Sequence, residues 1–546
     1  MKQFFTLIFF FCLLAVAQDS ITTRDVRSAE KILGLRFDET QRDSMLGDLK
    51  YRRESYERMR TVHIPYNVLP SVLFNPIPTG MKLPIGKSKF SPDGVKNVSL
   101  PKNIDDLAFY SVGELASLIK SRKITSEKLT KLYIIRLKKY TPMLHCVITL
   151  TESLALEQAK RADKEIASGK YRGPLHGIPY GAKDLVSKKG FPTTWGSVPY
   201  EHQEFDHDAT VIKKLEEAGA VLVAKLSMGE LAMDDVWFGG MTRNPWDTTK
   251  GSSGSSAGSA SATAAGLLGF TIGSETWGSI VSPSTVCGTT GFRPTYGRVS
   301  RVGAMALSWS MDKLGPICRT VEDCALVFNA IYGPDRIDPT IYDLPFSYEP
   351  KKISMKKLRI GYVKSDFDSV KEGKEFNDSV IAILKKFGAT LVPIELPKYP
   401  IGSISFILDA ECAASFDELT RSRKDSQLVL QGKGNWPNIF RAARFISAAE
   451  YVQANRLRTM IIQEMDRLIK KNNIDLYIAP SLEGDNLLLT NLTGHPSITI
   501  PNGFNKKGLP VSFTFTGKLF DEGTLLAVAK KYQDATNHHL KHPVLH

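Results

Sequence analysis

The sequence predicts an α/β fold in which helices alternate with the strands of a layered sheet, set behind a helical extension. Three observations carry this prediction. From about residue 105 onward, helix-spaced segments are repeatedly followed by short apolar runs; before that, charge-dense helical spacing fills about 21–60; and prolines recur through 64–103.

In chain order, the first seventeen residues carry Lys2, an apolar run from Phe4 to Val16, and Ala15-Val16-Ala17 before Gln18. This is the layout of a cleavable signal peptide, with the cut expected after Ala17. The apolar run falls well short of the roughly 20 residues that a membrane-spanning helix needs. The mature chain is therefore expected to be secreted or periplasmic, without membrane insertion. Met45, Leu49 and Tyr56 recur at helical spacing among Arg and Glu, which predicts a helical segment. Pro65, Pro70, Pro76, Pro78, Pro84 and Pro92 then predict extended backbone laid over a larger body. Residues 18–104 are thus an N-terminal extension and 105–546 the main domain.

Within that domain, 112–121 and 126–140 read as helices, the second opened by the capping residue Ser126. The helix-like stretch 209–218 leads into a buried strand at 220–224, and 376–387 leads into 390–394. Further strands are predicted at 359–363, 475–479, 497–500 and 511–516. No internal repeat is visible.

The formal charge of +14 comes from basic residues interleaved with acidic ones, and no aromatic-and-basic cluster forms a nucleic-acid platform. It reads as solvated surface. Beyond the leader, Cys146, Cys287, Cys318, Cys324 and Cys412 are scattered without metal-like spacing, so they read as small buried residues, with a Cys318–Cys324 bridge as the alternative. No metal or organic cofactor is expected.

The chemistry concentrates in three segments. Lys250-Gly251-Ser252-Ser253-Gly254-Ser255-Ser256-Ala257-Gly258 passes directly into a helix-forming stretch at 260–268 and a strand-like 269–273. A flexible linker would end at a domain boundary instead, so close backbone approach is the better explanation of its small residues. In Gly273-Ser274-Glu275-Thr276-Trp277-Gly278-Ser279, a serine follows a tight glycine turn, where its hydroxyl and nearby N–H groups can converge on a reacting carbonyl. Such a hydroxyl needs a base. No histidine stands in a comparably suggestive context, since His176 precedes a Gly-Ile-Pro turn and His495 precedes Pro496 and either suits a structural role, whereas Lys183 closes the apolar run Leu175 to Ala182, where burial can depress a lysine pKa towards neutrality. Taken alone, that run favours a solvated lysine beside Asp184.

Together these segments resemble the amidase signature family. The glycine-serine run, Ser279 beyond Ser255, and the Gly-Ile-Pro approach to Lys183 fall in the family's order and spacing. Met228-Gly229-Glu230-Leu231, Asn244-Pro245-Trp246-Asp247, Gly291-Phe292-Arg293-Pro294-Thr295, Asp312-Lys313-Leu314-Gly315-Pro316 and Gly494-His495-Pro496-Ser497 extend the match from about 105 to about 534. The resemblance implies a three-layer α/β/α fold around a large, mixed, twisted sheet. It also implies that Ser279 attacks an amide carbon, that Ser255 relays the proton after a cis Gly254–Ser255 peptide, and that Lys183 is the base. The N–H groups of Thr276, Trp277, Gly278 and Ser279 would form the oxyanion hole, and the substrate would be a small-molecule amide.

Two departures stand out. The family commonly has two glycines before the nucleophile, where this chain has Trp277-Gly278, and an arginine soon after, where it has Val281 and Ser282. Trp277 either lines the pocket or packs into the core, and the missing arginine puts the local ion pairing in doubt. Met228 and the segment 233–238 are candidate pocket walls by resemblance, with core packing as the alternative. The resulting expectation is hydrolysis of a carboxamide C–N bond. The rival readings are an A-type subunit of a glutamine-dependent amidotransferase and a catalytically silent binding protein of the same fold.

Overall fold

The computed structural model describes residues 21–65, 68–94, 97–370 and 373–545. The expected leader lies outside them. Two compact units are present, one made of residues up to 65 with 445–447, the other of 66–444 with 448–546.

The smaller unit carries helices Thr23–Leu33, Glu39–Ser44 and Leu46–Met59. Thr22 and Asp38 cap the first two, each paired reciprocally with the residue three positions on. Arg42 Nε donates to Glu30 Oε1 at 2.7 Å and ties these two helices together.

The larger unit is built on one eleven-stranded sheet. Its strands are β1 (Val147–Leu150), β2 (Pro179–Lys183), β3 (Val221–Leu226), β4 (Phe270–Glu275), β5 (Thr290–Arg293) and β6 (Lys313–Cys318), followed by β7 (Arg359–Val363), β8 (Thr390–Ile394), β9 (Leu476–Pro480), β10 (Ser497–Phe504) and β11 (Pro510–Gly517). The spatial order is β1-β3-β2-β4-β6-β5-β10-β11-β9-β7-β8. β3, β2 and β4 run parallel at one side and β9, β7 and β8 at the other, while antiparallel pairs fill the middle. The sheet is therefore mixed, as expected.

Both faces are covered, and the two-residue strand period shows how. Along β3, Leu222 faces the main core while Val221 and Val223 face a second cluster shared with Ala155 and Ala159 of helix Glu152–Ala167. Along β9, Leu476 and Ile478 join the main core, whereas Tyr477 and Ala479 join a third cluster with Ile461 and Met465 of helix Ala448–Asn472. Helices thus sandwich the sheet in three layers.

The proline-rich stretch belongs to this larger unit. Phe74 packs edge-on against Tyr296, with ring centroids 5.0 Å apart, and the Arg458 guanidinium lies over its ring. Predicted helices and strands mostly fall within a few residues of the observed ones. The largest shift is the helix after the serine run, which spans Ala257–Ala264 rather than 260–268, because Gly266 takes a left-handed turn at φ +63° and starts the approach to β4.

Candidate active site

Three elements bring the predicted side chains together. Lys183 ends β2, a fully buried strand paired in parallel with β3 and β4. Ser255 lies between strand Asp247–Gly251 and helix Ala257–Ala264. Ser279 lies in the turn between β4 and helix Val281–Cys287. The Ser256 N–H donates to the Ser279 carbonyl at 3.1 Å, which fixes one serine segment on the other.

Glycine makes this approach possible. The Gly254–Ser255 peptide is cis, as the resemblance implies. A Cβ on Gly254 would stand 1.7 Å from the Asp234 carbonyl oxygen, so no side chain fits there. Gly278 has φ +87°, a conformation that turns the chain back towards Ser279 and that other residues adopt only with strain.

Lys183 is completely buried, and its Nζ lies 2.7 Å from Ser255 Oγ, 3.0 Å from Ser274 Oγ and 3.3 Å from Ser256 Oγ. Ser255 Oγ in turn lies 2.9 Å from Ser279 Oγ. The three hydroxyls match the three N–H bonds of the ammonium form, and on deprotonation the freed lone pair can accept from Ser255. Desolvation lowers the Lys183 pKa from 10.5 to about 7, although the negative charges of Asp312 and Glu275 oppose the shift. Asp184 is not its counter-ion. That carboxylate pairs with Lys225 at 2.6 Å and accepts from Thr194 Oγ1 at 2.6 Å. The reading of Lys183 as a solvated surface lysine is therefore wrong.

Among the described residues, no protein acceptor takes the N–H groups of Trp277, Gly278 or Ser279, whereas those of Ile280 and Val281 both donate to Glu275 Oε2, at 2.8 and 2.9 Å. Glu275 thereby sets the start of the helix and leaves the preceding N–H groups available. Its other oxygen pairs with Arg293 and accepts from Asn491 Nδ2 at 2.8 Å. Burial works against its charge, yet Arg293, the Val281 amide and Asn491 hold its carboxyl at about 2. Arg293 also donates to Thr490 Oγ1 and to the His495 carbonyl. The arginine paired with this turn thus comes from β5. In the sequence Arg293 stands out only as part of a motif, and Glu275 was missed altogether as a functional residue.

Trp277 is 45% exposed, which rules out core packing for its ring. Met228 is completely buried within the main core. Segment 233–238 braces the serine loop, since Asp235 Oδ2 accepts from the Ser253 N–H at 2.9 Å and Asp234 abuts Gly254. His176 and His495 are both buried and structural: the first accepts from the Arg172 N–H, and the second bonds Thr493. Burial pushes the His495 pKa down to about 3. All five described cysteines are buried and unbridged. Among the described residues, no group of three or more His, Cys, Asp or Glu is arranged to hold a metal ion.

A buried lysine, a relay hydroxyl and a second hydroxyl beside free N–H groups form an arrangement able to deprotonate a serine and stabilise an oxyanion. Known proteins place it in context. The sequence model of the family described as Amidase matches residues 128–487. The A subunits of glutamyl-tRNA(Gln) amidotransferase from Carboxydothermus hydrogenoformans and Prochlorococcus marinus are 35% and 34% identical, over 81% and 79% of this chain and 100% and 98% of their own. The solved structure of native peptide amidase from Stenotrophomonas maltophilia superposes with a TM-score of 0.73 at 28% identity, covering 81% of this chain and 99% of that one. On this family match, and on relatives aligned over nearly their whole length, the chain belongs to the amidase signature family.

Proposed function

We propose that this chain hydrolyses a carboxamide C–N bond with Ser279 as nucleophile, Ser255 as proton relay and Lys183 as base. The observation that carries this reading is the unbroken chain of contacts from Lys183 Nζ to Ser279 Oγ, 2.7 and 2.9 Å long, ending at a lysine held near neutrality. Neutral Lys183 draws the Ser255 proton as Ser255 takes that of Ser279, and the Ser279 oxygen attacks the amide carbon. The oxyanion meets the N–H groups from Thr276 to Ser279, donors worth about 3 kcal/mol each in comparable sites. The proton returns through Ser255 to the leaving nitrogen, and water then releases the acid.

The sequence relatives favour a second reading, in which the same site strips ammonia from glutamine within a tRNA amidotransferase, this chain serving as its A-type component. Their names support it at 33–35% identity, above the 28% of the peptide amidase structure. Both readings share acyl transfer to Ser279 and differ in the fate of the nitrogen. The leader, if cut after Ala17, would export the mature chain away from charged tRNA; N-terminal sequencing of the exported protein tests this. A graded panel of amides and glutamine, offered to the purified chain with Ser279→Ala as blank, separates the readings. Turnover of simple amides without partner subunits supports the hydrolase, whereas activity on glutamine alone supports the amidotransferase reading.

A further inference from the structure

The catalytic turn borders a cavity of about 100 Å³, lined by Ser274 and Thr276 together with Leu69, Leu185, Met305 and Leu307. Ser274 is one of the hydroxyls that Lys183 Nζ contacts, at 3.0 Å. The cavity therefore adjoins the lysine side of the triad. When the C–N bond breaks, the electron pair goes to nitrogen, and the proton delivered there arrives from Lys183 through Ser255. The departing nitrogen must accordingly face the Ser255 and Lys183 side of the acyl carbon. Ser274, which contacts Lys183, is the lining residue that connects the cavity to that side.

We propose that the substrate is a secondary amide whose nitrogen carries a compact, uncharged, mainly apolar substituent seated in this cavity, so that the amine released is a substituted amine and not ammonia. The proposal rests on the hydrolase reading. An apolar cavity of about 150 Å³ accommodates a benzene ring, so this smaller one suits a short alkyl group. Most polar groups of the wall are already committed. Arg301 donates to the Trp309 carbonyl, Tyr296 Oη and Thr340 Oγ1, and Asp312 accepts from Thr276 Oγ1 and from the N–H groups of Leu307 and Ser308. Trp309 also lines the cavity, and its buried Nε1–H has no partner among the described residues. An ether or carbonyl oxygen on the substituent would satisfy it, and the charged groups of the wall carry both signs, Arg301 and Lys313 beside Asp312 and Asp338, so the wall calls for no net charge on the substituent. Atoms balance: the amide C–N bond breaks, the Ser279 ester forms, and the amine leaves with the relayed proton. Water then cleaves the ester to the acid and restores the hydroxyl.

The test compares three amides sharing one acyl group: the primary amide, the N-butyl amide and the N-(2-methoxyethyl) amide. Both substituted amides are expected to exceed the primary amide in kcat/KM by about tenfold or more, the scale on which a filled apolar pocket discriminates. Leu307→Trp, which fills the cavity, should lower the ratio of N-butyl to primary amide by a similar factor. Trp309→Phe should lower the preference for methoxyethyl over butyl. A wild-type preference for the primary amide, or ratios unmoved by Leu307→Trp, would overturn the proposal while leaving the hydrolase reading intact. Cleavage of no amide at all would sink the hydrolase reading and this inference with it.

Discussion

Glu275 and Arg293 form a completely buried ion pair, and the second Glu275 oxygen receives the N–H groups of the two residues after Ser279. The pair thus couples the central strands to the turn carrying Ser279. Glu275→Gln should lower kcat by about 100-fold with a smaller change in KM, because it loosens the oxyanion turn and not the substrate pocket. It should also destabilise the fold by about 3–5 kcal/mol, since Arg293 is left as an uncompensated buried charge. Joint replacement with Arg293→Met should recover much of the stability and little of the activity. Steady-state kinetics and urea denaturation check both halves.

The pH dependence follows from Lys183. The base works only when neutral, so kcat/KM should climb as pH rises through about 7, falling about tenfold per unit well below that value. A profile flat between pH 5.5 and 8.5, roughly the range in which such a base would titrate, would contradict the assignment.

Burying this amine also costs stability, with a definite sign. Between about 7 and the ordinary 10.5, the unfolded chain binds a proton that the folded chain does not, so the Lys183 contribution to stability improves as pH rises through that window. Lys183→Met removes the penalty. The variant should be inactive yet melt above the wild type at pH 7, with the difference shrinking towards pH 10, as followed by thermal denaturation.

Backbone approach at the relay serine predicts a third loss. Gly254→Ala places a methyl group on the Asp234 carbonyl and must displace the serine loop. Activity should fall by at least about 100-fold, the scale on which a displacement of about 1 Å acts. Proteolysis should become faster at nearby segments 233–238 and 250–256.

Trp277 stands where the family commonly carries a glycine, and it is half-exposed, next to the N–H groups proposed to receive the oxyanion. Trp277→Gly should leave the melting temperature within a few degrees of wild type while shifting relative rates between small and bulky amides. An unchanged substrate profile would remove the ring from any role at the pocket.

The legibility of this molecule in its sequence follows from how local each signal is. β3 opens on the continuous apolar run Val221–Ala224 because both sheet faces are buried, and such a run can be read directly, whereas β2 and β4 are equally buried but interrupted by glycine and polar residues, and β2 was not read as a strand. Ser255 and Ser279 stood out because small residues and glycine turns surround them, whereas Lys183 joined them only through the order and spacing of the family's motifs. Glu275 and Arg293 did not stand out. They sit at the ends of β4 and β5, which are not neighbours, because β6 lies between them. Only the strand order brings the two together. The cavity is similarly non-local, drawing Leu69 from the proline-rich stretch and Leu307 from a distant loop.

The most direct measurement is covalent labelling of the folded protein by a fluorophosphonate probe, followed by intact mass and peptide mapping across pH. The expected result is a single adduct on Ser279, formed faster as pH rises through about 7, and nearly abolished by Lys183→Met or Ser255→Ala. Labelling elsewhere, or labelling of Ser279 at wild-type rate in the folded Lys183→Met variant, would contradict the triad.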